Sequence, residues 1–120
     1  MATILIADDT ASEAALMANV VQQLGHVAQT VADGEACINT ARSLKPALIL
    51  LDVVMPKMDG FNTCRKIKKD PELAGTPIII VTSKNQDSDK FWAERQGANR
   101  FISKPFTADS LAEAIRSFVN

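Results

Sequence analysis

The chain has 120 residues, 47% of them hydrophobic and 22% charged, with a formal net charge of -1. That length suits one domain with one core, and the charge balance excludes the basic field that attracts nucleic acid or anionic lipid. No apolar stretch approaches the roughly 18 residues of a membrane span, and no basic leader with a hydrophobic signal region precedes the first strand, so a cytoplasmic, non-inserting protein is expected.

The first element is a short strand, Ile4 to Ala7, ending at Asp8-Asp9. Thr10-x-x-Glu13 has the spacing of a capping box, and Ala14, Met17, Ala18, Val21 and Leu24 continue a helical apolar face that Gly25 should stop. His26 to Val31 reads as a weaker second strand, with His26 as a surface residue. Asp33-Gly34 leads into a helix through Ala36, Ile38, Ala41 and Leu44 that ends before Pro46. The third strand is Ala47 to Leu51, followed by Asp52 and the loop Met55-Pro56-Lys57-Met58-Asp59-Gly60. Phe61, Cys64, Ile67 and Lys68 mark a helix that stops by Asp70-Pro71. Its run Arg65-Lys66-x-Lys68-Lys69 reads as a solvated face.

Pro77 opens a fourth strand that ends at Thr82, and a polar stretch leads into a short helix from Ser88 to Gln96 with Gly97 as its stop. The adjacent Phe91 and Trp92 cannot both face the core fully, which leaves one of them for a partner or for the core edge. The fifth strand, Arg100 to Ser103, runs into Lys104. Thr107 then caps a helix whose apolar face is Ala108, Leu111, Ala112, Ile115 and Val119. Cys37 and Cys64 fall inside helical patterns with no metal-ligand spacing and read as reduced packing residues.

Strands this short, branched and unalternating are buried on both faces, the habit of a parallel sheet flanked by helices. Five of them alternating with five helices predict a flavodoxin-like, doubly wound (βα)5 fold with strand order 2-1-3-4-5. Parallel strands end on one edge, so Asp8, Asp9, Asp52, Thr82 and Lys104 should gather there, although they are far apart in sequence. The three carboxylates against one ammonium leave -2, which a divalent ion would cancel. Hard oxygen ligands with retained waters suit magnesium. A carboxylate beside such an ion can attack activated phosphorus and form an aspartyl phosphate, and Asp52, alone at a central strand end, is the better nucleophile than the Asp8-Asp9 pair. Each of these residues taken singly also fits a helix cap, a strand or a loop. The mixture of types at four strand ends favours chemistry.

With its motifs Ala7-Asp8-Asp9, Leu51-Asp52-Val53-Val54-Met55-Pro56-Lys57-Met58-Asp59-Gly60, Ile80-Val81-Thr82-Ser83, Gly97-Ala98 and Phe101-Ile102-Ser103-Lys104-Pro105, the chain resembles the receiver domains of two-component response regulators over its whole length. It is similar in particular to stand-alone, CheY-like receivers. The stretch Asp89 to Ala98 also resembles single-domain regulators of type IV pilus and twitching-motility systems. The resemblance implies that residues 1–120 form one receiver without an output domain, which exchanges signal with a histidine kinase or phosphotransfer protein and a protein target. It implies that Asp52 accepts the phosphoryl group, that Asp8, Asp9, Asp52 and the Val54 backbone carbonyl hold magnesium, and that Thr82 and Lys104 meet the phosphoryl oxygens. Thr82 and Phe101 would switch the surface made by the fourth helix, fifth strand and fifth helix. A monomer is expected.

Departures from the family pattern carry expectations of their own. Ser83 stands where Ala or Gly is usual and should restrict access to the site. Phe101 lacks the hydroxyl of the tyrosine found in CheY and must switch by packing alone. Val54 and Lys84 occupy positions that tune hydrolysis, and Val54 has no group to orient water, so slow self-dephosphorylation is expected. A haloacid-dehalogenase-like phosphatase would carry D-x-D after its first strand, where this chain has contiguous Asp8-Asp9. A receiver-shaped module that binds without phosphorylation, or a phosphate sink, remains open at this level.

Overall fold

A computed structural model describes all 120 residues. The elements are β1 (Thr3–Ala7), α1 (Ala11–Gln23), β2 (Val27–Val31), α2 (Gly34–Leu44), β3 (Leu48–Leu51), α3 (Gly60–Lys69), β4 (Ile78–Thr82), α4 (Asp87–Arg95), β5 (Arg100–Ser103) and α5 (Ala108–Arg116). The strands form one sheet in the order β2-β1-β3-β4-β5, and every neighbouring pair is parallel. The predicted flavodoxin-like topology is therefore the observed one, with element ends shifted by a residue or two. No helix is long and apolar enough to cross a membrane.

Alternation along each strand divides the interior into two cores. Ile4, Ile6, Leu48, Leu50, Ile79 and Val81 pack with Met17, Val20 and Val21 of α1 and Leu111, Ala114 and Ile115 of α5. Leu5, Ala7, Ile49, Leu51, Ile78 and Ile80 point the other way, onto Cys37, Ile38 and Ala41 of α2, Cys64 and Ile67 of α3, and Ala93 of α4. Apolar residues at consecutive positions are thus explained, because each face of the sheet is covered. Both cysteines are free and buried, as their helical positions predict.

Local chemistry fixes the helix ends. The Asp33 side chain accepts from the Ala36 N–H at 2.8 Å, and that of Asp59 from the Asn62 N–H at 2.9 Å, satisfying donors that the first helical turn leaves free. Gly25, at φ 86°, takes the left-handed conformation after α1. Gly60 is required by close approach: a Cβ there would overlap the Asp52 carbonyl oxygen and lie 2.7 Å from Val53 Cα. The start of α3 is thereby seated on the chain leaving β3, where the Gly60 N–H donates to the Val53 carbonyl at 2.8 Å.

Three local expectations are corrected and a fourth, that Phe91 and Trp92 cannot both face the core, is exceeded. Thr10 precedes α1 but makes no side-chain cap, so the Thr10/Glu13 box does not form. Glu13 has a stronger electrostatic partner in Lys104. His26 is buried, and its Nδ1 accepts from the Ala2 N–H at 3.0 Å, which ties down the N-terminal residues. Phe91 and Trp92 both lie outside the core, 54% and 51% exposed, and pack edge to face with ring centroids 5.8 Å apart. Within the basic run, Lys68 folds inward, where its Nζ donates to the Thr76 carbonyl at 2.8 Å and to Asn99 Oδ1 at 3.0 Å. Those two acceptors lie on the loops that enter β4 and β5.

Candidate phosphoryl-transfer site

The strand ends place their polar residues by continuing the sheet ladder one step. The Asp8 N–H donates to the carbonyl of Val31, the last residue of β2, and the Asp52 N–H to that of Ala7, the last of β1. The Lys104 N–H donates to the carbonyl of Thr82, which closes β4. Three residues distant in sequence are thus registered to the rigid sheet by backbone bonds of 2.9 to 3.0 Å. Because β1 and β3 are neighbours, Asp8 and Asp52 meet where the winding of the sheet reverses.

Carboxylate oxygens of Asp8, Asp9 and Asp52 all lie within 4.8 Å of one another. Asp8 and Asp52 are buried, whereas Asp9 is exposed. At that separation each like-charged pair costs about 3 kcal/mol for an effective dielectric near 20. The Lys104 ammonium offsets part of this repulsion, with Nζ 2.7 Å from Asp8 Oδ2 and 3.2 Å from Asp52 Oδ2. Burial would lower the Lys104 pKa, but hydrogen bonds to Asp8 and Glu13 and the charge of Asp52 outweigh it and hold the ammonium above its ordinary value. The Asp8 carboxyl is pushed up by burial, against hydrogen bonds from Lys104 and the Thr10 N–H.

The remaining candidates surround this cluster. Thr82 is fully buried, and its hydroxyl oxygen accepts from the Lys84 N–H at 3.3 Å. The Val54 N–H reaches Asp52 Oδ1 at 3.3 Å, while the Val54 side chain is 54% exposed and beside Lys84 at a shallow hollow. Phe101 is half-buried against the core on the α2–α3–α4 side. Ser83 is exposed and shares a groove with Lys104.

Sequence reasoning missed Glu13, whose Oε1 lies 2.6 Å from Lys104 Nζ. Its place in the first turn of α1, close in sequence to the Asp8-Asp9 pair at the end of β1, was the available signal. With Glu13 the local sum becomes four carboxylates against one ammonium. Three of those carboxylates, from Asp8, Asp9 and Asp52, form an all-oxygen donor set with a strong excess of negative charge, which fits a hard divalent cation such as magnesium.

A doubly wound sheet that gathers carboxylates, a hydroxyl and an ammonium at its carboxyl edge belongs to the class of flavodoxin-like α/β domains, in which ligands bind beyond the strand ends at the switch point. The model of the response regulator receiver domain matches residues 4–116, and the chain belongs to that family. It is 38% identical over 117 residues to protein PilH of Pseudomonas aeruginosa, an alignment covering 98% of this chain and 97% of PilH. The structure superposes on that of the Vibrio cholerae chemotaxis protein CheY4 with a TM-score of 0.92 and 27% identity, covering 99% of both chains. It also matches the receiver domain of the P. aeruginosa sensor histidine kinase PA1611, crystallised with magnesium in its active-site cleft, with a TM-score of 0.90 and 25% identity over 98% of this chain and 96% of that one. The chain spans about half the length of other curated relatives, several of them transcriptional regulators.

Proposed function

We propose that this receiver is a phosphorylation switch in which Asp52 takes a phosphoryl group from a histidine kinase or phosphotransfer protein. The supporting observation is the Lys104 ammonium spanning Asp8 and Asp52 beside the Asp9 carboxylate, because an acceptor, a charge partner and a cation-binding donor set then share one small space. As the Asp52 oxygen–phosphorus bond forms, the donor's phosphorus–nitrogen bond breaks and its electron pair leaves with the imidazole. Lys104 pairs with one phosphoryl oxygen and the Thr82 hydroxyl donates to another. Asp8, Asp9, Asp52 and the Val54 carbonyl are the residues that would hold magnesium, which supplies charge neutralisation when bound.

Turning the Thr82 hydroxyl toward the phosphoryl group gives up its contact with the Lys84 N–H, and Phe101 moves in the same step. The surface of α4, β5 and α5 then differs between the two states, and a protein target distinguishes them. The 120 residues act as one monomeric, cytoplasmic receiver without DNA contact, and the signal leaves through protein contacts in chemotaxis or pilus-based motility. Likeness to PilH along nearly the whole of both chains supports the motility reading. No separate substrate is turned over; the chemistry is acceptance and hydrolysis on Asp52. With Val54 apolar, hydrolysis is slow, and Val54→Asn should shorten the phosphoryl lifetime several-fold in a single-turnover decay measurement.

Incubation with acetyl phosphate, with and without magnesium, tests the central claim by intact mass. The expected result is a magnesium-dependent gain of one phosphoryl group that Asp52→Asn abolishes. No gain in the folded wild type, or an equal gain in the variant, would overturn it.

A further inference from the structure

The Lys104 ammonium meets three carboxylates: it donates to Asp8 Oδ2 at 2.7 Å and to Asp52 Oδ2 at 3.2 Å, and it forms an ion pair with Glu13, whose Oε1 lies 2.6 Å away. The Lys104 side chain is only 9% exposed, so water has little room to replace any of them. An incoming phosphoryl oxygen that needs this ammonium must therefore displace a carboxylate. The three do not compete equally. The Asp8 side chain is fully buried, and removing its partner would strand a charge out of water. Asp52 is the group that reacts. The Glu13 side chain is 39% exposed and can return to solvent at little cost.

Location agrees with this ranking. Glu13 and Lys104, with Leu16, Ser83, Pro105 and Phe106, line a groove of about 290 Å³ next to the carboxylate cluster. Glu13 lies outside the cluster itself, which comprises Asp8, Asp9 and Asp52. A first-turn acid also interacts favourably with the helix dipole, but Glu13 is aimed across to the residue after β5 rather than at the backbone of its own helix.

Building on the switch reading above, we propose that Glu13 is a positioning residue acting through Lys104, a resident carboxylate that the phosphoryl group displaces. In the resting protein it takes a share of an ammonium that Asp8 and Asp52 also hold, and so leaves those carboxylates less fully neutralised and more available to a cation. During transfer it competes with the phosphoryl oxygen for the same ammonium. Removing its charge should therefore have two opposite effects, weaker binding of magnesium and faster acceptance of the phosphoryl group once the metal site is saturated. General loss of structure would impair both.

The test compares wild type with Glu13→Gln, an isosteric change at a partly exposed site. With acetyl phosphate at saturating magnesium and high ionic strength, where the long-range field is screened, phosphorylation should accelerate about threefold to tenfold, the scale of one charge-assisted hydrogen bond becoming neutral. Calorimetric titration with magnesium alone should show weaker binding in Glu13→Gln. That weakening should shrink by at least about half when the same change is made in Lys104→Met, as coupling through one residue requires. Equal weakening in both backgrounds, or a phosphorylation rate that is unchanged or lower, would overturn the role of Glu13 while leaving Asp52 phosphorylation intact. Failure of wild type to gain a phosphoryl group would overturn both readings.

Discussion

β4 and β5 are hydrogen-bonded neighbours, yet every residue of β3 and β4 is buried and all four of β5 are only partly so. The helices that cover them differ in the same sense. α5 buries Leu111, Ala114 and Ile115, whereas α4 buries Ala93 alone and leaves Phe91 and Trp92 half in solvent. Asp52 and Thr82 thus hang from the best-packed strands, while Lys104 and Phe101 belong to the looser layer. The proposed division of roles fits this contrast: an acceptor needs fixed geometry, and a switching surface needs two arrangements close in free energy, which regions with few buried apolar contacts supply. Lys104 joins the two regions through its bonds to Asp8 and Asp52.

Breaking the well-packed half should cost the most. Ile80→Ala, at a fully buried position between β3 and β5, should lower unfolding free energy by about 2–5 kcal/mol in a denaturant titration. Gly60→Ala should cost about 1–3 kcal/mol, because the new methyl meets backbone that cannot yield as a flexible side chain would. It should also slow phosphorylation by displacing Asp52, so its kinetic loss would exceed that of an equally destabilising change in α1.

A smaller effect, specific to pH, comes from the thiols under α2 and α3. Burial pushes Cys37 up to about 12 and Cys64 up to about 11, from an ordinary 9.0. A folded-state pKa above the unfolded one stabilises fully below the unfolded value and is lost as pH rises toward the folded one. Stability should therefore be unaffected by these groups below pH 9 and fall by roughly 1.4 kcal/mol per unit per thiol above it. Denaturation curves of Cys37→Ala at pH 8 and pH 10.5 should show a shallower alkaline loss than wild type. Equal slopes would rule out Cys37 as the titrating group.

The difference between the halves also marks what could be read from the chain. Strands β1, β3 and β4 are legible because a run such as Ile78-Ile79-Ile80-Val81 has only one environment that suits it, and parallel winding then delivers Asp8, Asp52, Thr82 and Lys104 to one edge. Glu13 was misread because local spacing offered a cap and the competing partner lies 91 positions later, visible only after the sheet is assembled. His26 and Lys68 were misread for the same reason. Each looked like a surface polar residue, but each satisfies backbone or amide groups brought to it by another element. For the aromatic pair on α4, adjacency already told that both could not enter the core; that neither does follows from Ala93 being the one residue α4 buries.

That pair supports the smallest and most discriminating prediction. Because Phe91 and Trp92 are half in water, Phe91→Ala and Trp92→Ala should each change unfolding free energy by less than about 1 kcal/mol, a fraction of the Ile80→Ala loss. A larger loss would show that α4 is pinned as firmly as β4 and would remove the physical basis for placing the switch there. If the small loss is found, the exposed aromatic surface owes little to folding, and hydrogen exchange should separate the halves directly. Amides of α4 and β5 should exchange faster than those of β3 and β4 in the resting protein, and phosphorylation of Asp52 should alter protection in α4 and β5 while leaving β3 and β4 unchanged, because only the looser layer has a second arrangement within reach.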